Sequence, residues 1–140
     1  MADVTIPAGH GDAATFYDTV GGEETFRLLV HRFYAGVADD PVLRPLYPEP
    51  DLAGAQERLR LFLLQYWGGP TTYSDTRGHP RLRMRHAPFV IGEAEREAWF
   101  RTMAGAVAAM VDGGELSEAD EALMLAYFHQ AALHMVNAVD

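Results

Sequence analysis

His86 has the most unusual setting of the six histidines in this chain. Pro88 removes a backbone donor and biases Ala87 away from the helical conformation, so the chain leaves the histidine in a fixed direction. Met84 and Phe89 supply apolar neighbours. A neutral imidazole held rigidly beside apolar surface suits an axial ligand to a flat hydrophobic cofactor. The commoner outcome for a lone histidine, a satisfied core or surface residue, stays open on spacing alone.

The other histidines give weaker signals. His10 lies in an N-terminal stretch that mixes Gly, Pro, Asp and Ala, and His31 lies on the polar side of a predicted helix. His129 and His134 are five residues apart on the last predicted helix. Two metal ligands on one helix face need a spacing of about three or four residues, so a paired site is not predicted there.

Three aromatic donors form a second group of candidates. Tyr34 and Trp99 lie on helical stripes that should face the core, and Tyr47 lies among prolines in a short connector. Buried phenol and indole groups need hydrogen-bond partners. Backbone carbonyls can fill that role. Three inward donors in a small domain also suit a polar pocket for a small, electron-rich ligand.

All eleven cationic side chains are arginines, and the net charge is −9. This balance predicts no binding to nucleic acid or to anionic membranes. Several arginines nevertheless cluster in sequence: Arg58, Arg60, Arg77, Arg81, Arg83 and Arg85. Two carboxylates on the edge of a cofactor suit this patch, and a solvated surface patch is the alternative.

Length and composition limit the class of protein. With 140 residues and 49% apolar content, the chain predicts one compact domain. The absence of cysteine excludes disulfides, thiolate metal sites and cofactors attached through cysteine. Residues 1–14 lack the apolar run of a signal peptide, and no window approaches the roughly 20 apolar residues of a membrane span. A cytoplasmic location is therefore expected.

Apolar periodicity predicts an all-α fold with four substantial helices and no strands. The buried stripe of the first substantial helix is Phe26, Leu29, Val30, Phe33 and Val37. The stretch Pro70–Pro80 shows no periodicity and is predicted to be a loop. The predicted helical segments are Thr15–Val20, a helix from Glu23, a short piece from Asp40, Asp51 (as N-cap) to Gly68, Arg81–His86, Glu93–Val111 and Ser117–Ala138.

Motifs spread along the chain resemble those of the group II truncated haemoglobins of bacteria. The match covers about residues 15–137, which leaves 1–14 as a loose N-terminal extension to a domain at 15–140. Its most specific part is the run from Gly78 to Phe89. The other motifs are Phe16-Tyr17-Asp18 before Val20-Gly21-Gly22, Arg32-Phe33-Tyr34, Tyr47-Pro48, Asp51–Ala55, Gln65–Pro70 and Ala98-Trp99.

The resemblance implies a shortened globin fold, a two-over-two helical sandwich around non-covalent haem b. It implies that His86 is the proximal iron ligand and that Tyr34, Tyr47 and Trp99 stabilise the distal ligand. Ala55, where larger globins place a histidine, would leave that side open. The implied haem-pocket residues are Phe33, Ala55, Leu59, Phe62, Leu63, Met84 and Phe89. The implied propionate partners are Arg58, Tyr73, His79 and Arg83.

The function that follows from the resemblance is reversible binding of oxygen and other small gaseous ligands, with tight binding and slow release. The alternative is a redox enzyme acting on peroxide, nitric oxide or sulfide at the same haem. No flavin motif is present, so catalytic cycling would need an external reductase. A haem-free helical sensor is a further alternative. Homo-oligomerisation is left open by the sequence.

Overall fold

Seven α-helices and one short 3₁₀ turn make up the elements of the computed structural model, which describes residues 15–86 and 89–137. No strand occurs within these ranges, as the periodicity predicts. The helices are α1 (Phe16–Thr19), α2 (Gly22–Asp39), α3 (Ala53–Tyr66), α4 (Thr72–Arg77), α5 (Leu82–His86), α6 (Glu93–Asp112) and α7 (Glu118–Met135), with the 3₁₀ turn at Arg44–Leu46.

The four long helices form two pairs, α2 with α3 and α6 with α7, and α2 also packs against α6. This is the predicted two-over-two arrangement. The predicted stripe of α2 is buried, with its five residues between 0% and 1% exposed. Full burial of each such side chain stabilises the folded state by about 1.5–3 kcal/mol relative to leaving it exposed. None of the helices in the described ranges combines the length and hydropathy needed to span a bilayer.

Short polar and glycine signals set the helix ends. Gly21 and Gly22 have φ angles of 111° and 69°, a region that favours glycine, so the chain turns sharply between α1 and α2. Asp40 ends α2 and starts the next turn, because its Oδ1 accepts from the Val42 and Leu43 amides at 2.8 and 2.9 Å.

The prediction of a loop over Pro70–Pro80 is wrong, because α4 occupies its centre. The Gln65 side chain on α3 holds this helix: its Nε2 donates to Ser74 Oγ at 2.7 Å, and its Oε1 accepts from the Ser74 amide at 2.9 Å. Tyr73 is 4% exposed. A six-residue helix is too short to show periodicity, so tertiary contacts decide its formation.

Two predicted boundaries move slightly. α3 begins at Ala53 with Leu52 as N-cap, and Asp51 instead accepts from the Ala53 amide through Oδ1 at 3.0 Å. α7 ends at Met135, whereas the predicted end at Ala138 lies outside the described residues. Such shifts of one to three residues are the normal uncertainty of helix ends.

Candidate functional site

A cavity of about 470 Å³ lies among the long helices and α5, and its lining is predominantly apolar. Its size falls within the roughly 300–1,000 Å³ of small-molecule and cofactor sites. It brings together most of the predicted site residues: Tyr34, Tyr47, Ala55, Arg58, Leu59, Phe62, Leu63, Tyr73, His86, Phe89 and Trp99.

His86 is the last residue of α5 and lines the cavity together with Leu82, one helical turn earlier. Its Nδ1 lies 2.7 Å from the Leu82 carbonyl oxygen. A carbonyl can only accept, so Nδ1 carries the ring proton and donates it. In the neutral ring, Nε2 is therefore left with its lone pair, the arrangement that a metal-ligating imidazole needs.

Tyr34 and Tyr47 lie edge to face, with ring centroids 5.5 Å apart, and both line the cavity. Burial raises the pKa of both phenols well above the ordinary value. The neighbouring Tyr47 raises the pKa of Tyr34 further, and the charge of Arg58 works against the rise in both phenols. Both phenols therefore stay protonated at neutral pH, and each is a candidate donor to a ligand in the cavity that they line.

Trp99 lines the cavity from α6 and is fixed by two aromatic neighbours. Its ring centroid lies 5.4 Å from that of Phe33 and 5.8 Å from that of Phe128. Phe33 is fully buried, at 0% exposed, but stands behind Tyr34 and Trp99 rather than on the cavity surface. Its role is thus to pack against two of the predicted donors.

The polar mouth of the cavity is net basic, since the lining holds Arg58, Arg77, Arg85 and Arg96 against Glu49 and Glu95. The guanidinium carbons of Arg77 and Arg85 lie 5.6 and 5.8 Å from the centroid of the Tyr73 ring. Arg58 lines the same cavity and lies 3.9 Å from a Glu49 carboxylate oxygen in a half-exposed ion pair. Positive charge concentrated at this rim favours an anionic group on whatever occupies the cavity.

Besides Phe33, two predicted site residues lie off the cavity surface, and the side chain of another is not described. Met84 is 59% exposed, since on a one-turn helix the residue two before His86 faces the opposite way from Leu82 and His86. His79 is exposed in the loop after α4, where its Nδ1 accepts from the Arg81 amide at 3.3 Å. The side chain of Arg83 lies outside the described residues.

Sequence reasoning missed the wall that α7 contributes. The cavity-lining residues of this helix are Tyr127, Phe128, Ala131, Ala132 and Met135. Their spacing of three and four residues is the signal that could have found this face. Leu82 was also missed, whereas Arg77 and Arg85 belong to the arginine cluster that the sequence singles out as suited to cofactor carboxylates.

Haem fits these residues. No group of three or more His, Asp or Glu side chains in the described ranges could hold a metal ion, so a metal held by His86 must bring most of its own ligands. A porphyrin supplies four nitrogens, needs a flat apolar space and carries two carboxylates. The apolar cavity and the arginine-rich mouth meet both of these requirements.

A two-over-two helical sandwich around such a cavity, with one inward imidazole and several aromatic donors, defines a truncated globin. Residues 15–137 match the family model described as bacterial-like globin. The chain belongs to this family, and the relation to the group II truncated haemoglobins predicted from its motifs is confirmed.

Named relatives agree in length and fold. Group 2 truncated hemoglobin YjbI of Bacillus subtilis (strain 168) is 37% identical over 124 residues, covering 89% of each chain. A thermostable hemoglobin of the actinobacterium Thermobifida fusca is 57% identical, with a TM-score of 0.86 over 91% of this chain and 100% of that one. A truncated oxygen-avid haemoglobin from Bacillus subtilis is 36% identical, with a TM-score of 0.79 over 89% and 100% of the two chains.

Proposed function

We propose that this protein binds haem b non-covalently through His86 and uses it to bind oxygen and other small gaseous ligands reversibly. One observation carries the proposal: the Nδ1–Leu82 contact of 2.7 Å leaves the Nε2 lone pair of His86 free in an apolar cavity of about 470 Å³. Membership of the truncated haemoglobins, one of which is described as oxygen-avid, supports it.

The chain's own residues would hold the cofactor without thioether bonds, since there is no cysteine to form them. Leu59, Phe62 and Phe89 would pack against the flat ring. Arg58 and the arginines around Tyr73 would pair with the propionates at the mouth. The hydrogen bond to Leu82 would fix the ring rotation of His86, because a histidine ligand is oriented by the partner of its other nitrogen.

Haem, when bound, supplies a ferrous iron with one open position for a diatomic gas. The aromatic donors would then act on that gas: Tyr47, oriented by Tyr34, and Trp99 would donate hydrogen bonds to its partly negative outer atom. Each bond to a charged group contributes about 1.5–3 kcal/mol, and about 1.4 kcal/mol is a tenfold change in an equilibrium constant. Two such bonds favour tight binding and slow release.

Replacement of the proposed ligand tests the function. We expect the purified protein to be red and His86→Ala to lose or alter its Soret band, with partial recovery on adding free imidazole. His79→Ala is the matched control, since it removes a histidine that does not line the cavity. A colourless protein that takes up no added haemin, or an unchanged spectrum in His86→Ala, would contradict the proposal.

A further inference from the structure

Asn137, the single asparagine of the chain, makes an unusual set of contacts just beyond α7. Its side-chain Nδ2 donates to the carbonyl oxygens of His86 at 3.3 Å and Phe89 at 2.9 Å. Its Oδ1 accepts from the Ile91 amide at 2.9 Å, and its own amide donates to the Ile91 carbonyl at 2.8 Å. One residue thus ties both sides of residues 87–88 to the end of α7.

The segment that Asn137 contacts cannot fix its own position. α5 has five residues, and an isolated helix of that length is unstable in water. The carbonyls at a helix end need partners from outside the helix. The His86 carbonyl finds two, the Phe89 amide at 3.0 Å and Asn137 Nδ2. α5 packs against α7. Asn137, just beyond α7, therefore connects the backbone of His86 to the helix against which α5 packs.

The Leu82 contact and the Asn137 contacts constrain different motions of His86. The hydrogen bond from Nδ1 to the Leu82 carbonyl sets the side-chain torsion angles of His86, and hence the plane of its ring. The Asn137 bonds set where the backbone of His86 stands relative to α7, whose residues Ala132 and Met135 line the same cavity. Together they determine both the direction and the distance at which Nε2 approaches the cavity.

We propose that Asn137 is a positioning residue for His86, and that its side-chain amide sets the strength and direction of the bond from the imidazole to the haem iron. This inference rests on the proposed function. Residues that hold a metal ligand in place typically change metal affinity about 10- to 100-fold when altered. Loss of the amide should therefore weaken the iron–histidine bond and release haem faster.

Asn137→Asp is the sharpest variant, because it keeps the size of the side chain and an acceptor for the Ile91 amide. It lacks the N–H group that serves the His86 and Phe89 carbonyls and sets a carboxylate against them. Asn137→Ala removes both functions. Ser117→Ala is the matched control: it removes a hydrogen bond, from the Asp120 amide to Ser117 Oγ at 3.0 Å, at the other end of the same helix.

The measurements are the iron–histidine stretching band of the reduced, ligand-free holoprotein by resonance Raman and the rate of haemin transfer to an acceptor globin. We expect the band to move to lower frequency and broaden in both Asn137 variants, with haemin loss about tenfold faster. Ser117→Ala should lower the melting temperature to a similar extent and leave the band unchanged. A band unchanged in both Asn137 variants would overturn the inference.

Failure of the proposed function can be told apart from failure of this inference. If the unaltered protein shows no iron–histidine band, the proposed haem ligation is wrong. Hydrogen exchange at the Phe89 and Ile91 amides then still tests whether the Asn137 side chain anchors this segment to the end of α7, with or without haem. Faster exchange in Asn137→Ala than in Ser117→Ala supports this anchoring by Asn137, and equal exchange in the two variants contradicts it.

Discussion

Tyr47 and Trp99 carry the donors through which the cavity would hold a small ligand. We expect Tyr47→Phe and Trp99→Phe each to speed oxygen release about 10- to 100-fold, since a bond to a charged group contributes roughly 1.5–3 kcal/mol. Tyr34→Phe should act less strongly, because we assign Tyr34 the role of orienting Tyr47, whose ring it contacts edge to face at 5.5 Å. Stopped-flow release kinetics measure these effects.

Carbon monoxide and a remote tyrosine provide the controls for this prediction. Carbon monoxide places less charge on its outer atom than oxygen does, so the same variants should change its release less. Tyr17→Phe makes the same chemical change on α1, where the ring packs on Phe26 outside the cavity, and should leave release unchanged. Parental oxygen release rates in both Tyr47→Phe and Trp99→Phe would exclude these donors.

The buried phenols also make the fold sensitive to alkali. Burial raises the pKa of Tyr34, Tyr47 and Tyr127 above the ordinary value of about 10. The unfolded chain loses these protons near pH 10 while the folded chain keeps them, so stability is complete below about pH 10 and falls as the pH rises. At pH 11, each phenol that stays protonated in the folded state lowers the free energy of unfolding by about 1.4 kcal/mol.

Urea unfolding between pH 8 and pH 11.5 measures this loss. Tyr34→Phe should lose less stability over the alkaline range than the parent protein, because one late-ionising phenol is gone. Tyrosinate absorbance in the folded protein should likewise lag behind that in guanidinium. If Tyr34→Phe loses as much unfolding free energy over this pH range as the parent protein, Tyr34 does not contribute to the loss.

At the scale of helices, predictability depended on length. α2 repeats its apolar stripe over about three turns, so its burial is predictable from spacing alone. α4 has fewer than two turns, and its position depends on the amide of Gln65, a contact between segments that no local pattern records. The sequence predicts Met84 in the pocket as a neighbour of His86 along the chain. On α5, however, the residue that shares a face with His86 is Leu82.

The dependence of α4 on Gln65 is itself testable. Gln65→Ala removes two hydrogen bonds, each contributing about 0.5–1.5 kcal/mol. We expect faster hydrogen exchange across Thr72–Arg77 and a loss of about 1–3 kcal/mol in unfolding free energy. Gln56→Ala, another half-buried glutamine on α3, is the control. Equal exchange in the two variants would mean that the packing of Tyr73 alone holds α4.

For the molecule as a whole, the cavity links folding to cofactor binding. Its lining comes from α2, α3, α4, α5, α6 and α7, so a bound cofactor would contact nearly every helix of the domain. A ligand that binds only the folded state stabilises it by an amount that grows with concentration over Kd. The short helices α4 and α5 should gain most, because α4 packs chiefly against α3 alone and α5 chiefly against α7 alone.

We therefore expect the haem-loaded protein to melt on the order of 10 °C above the apoprotein. Free haem at about 1,000 times its Kd adds roughly 4 kcal/mol, and 1 kcal/mol moves the melting temperature of a domain this size by a few degrees, about 2–8 °C. Circular dichroism melts of the two forms measure the difference. His86→Ala should gain less from haemin than the parent, whereas Met84→Ala should gain as much, because Met84 is exposed outside the cavity. Equal melting temperatures for the two forms would show that the folded cavity binds haem no better than the unfolded chain does.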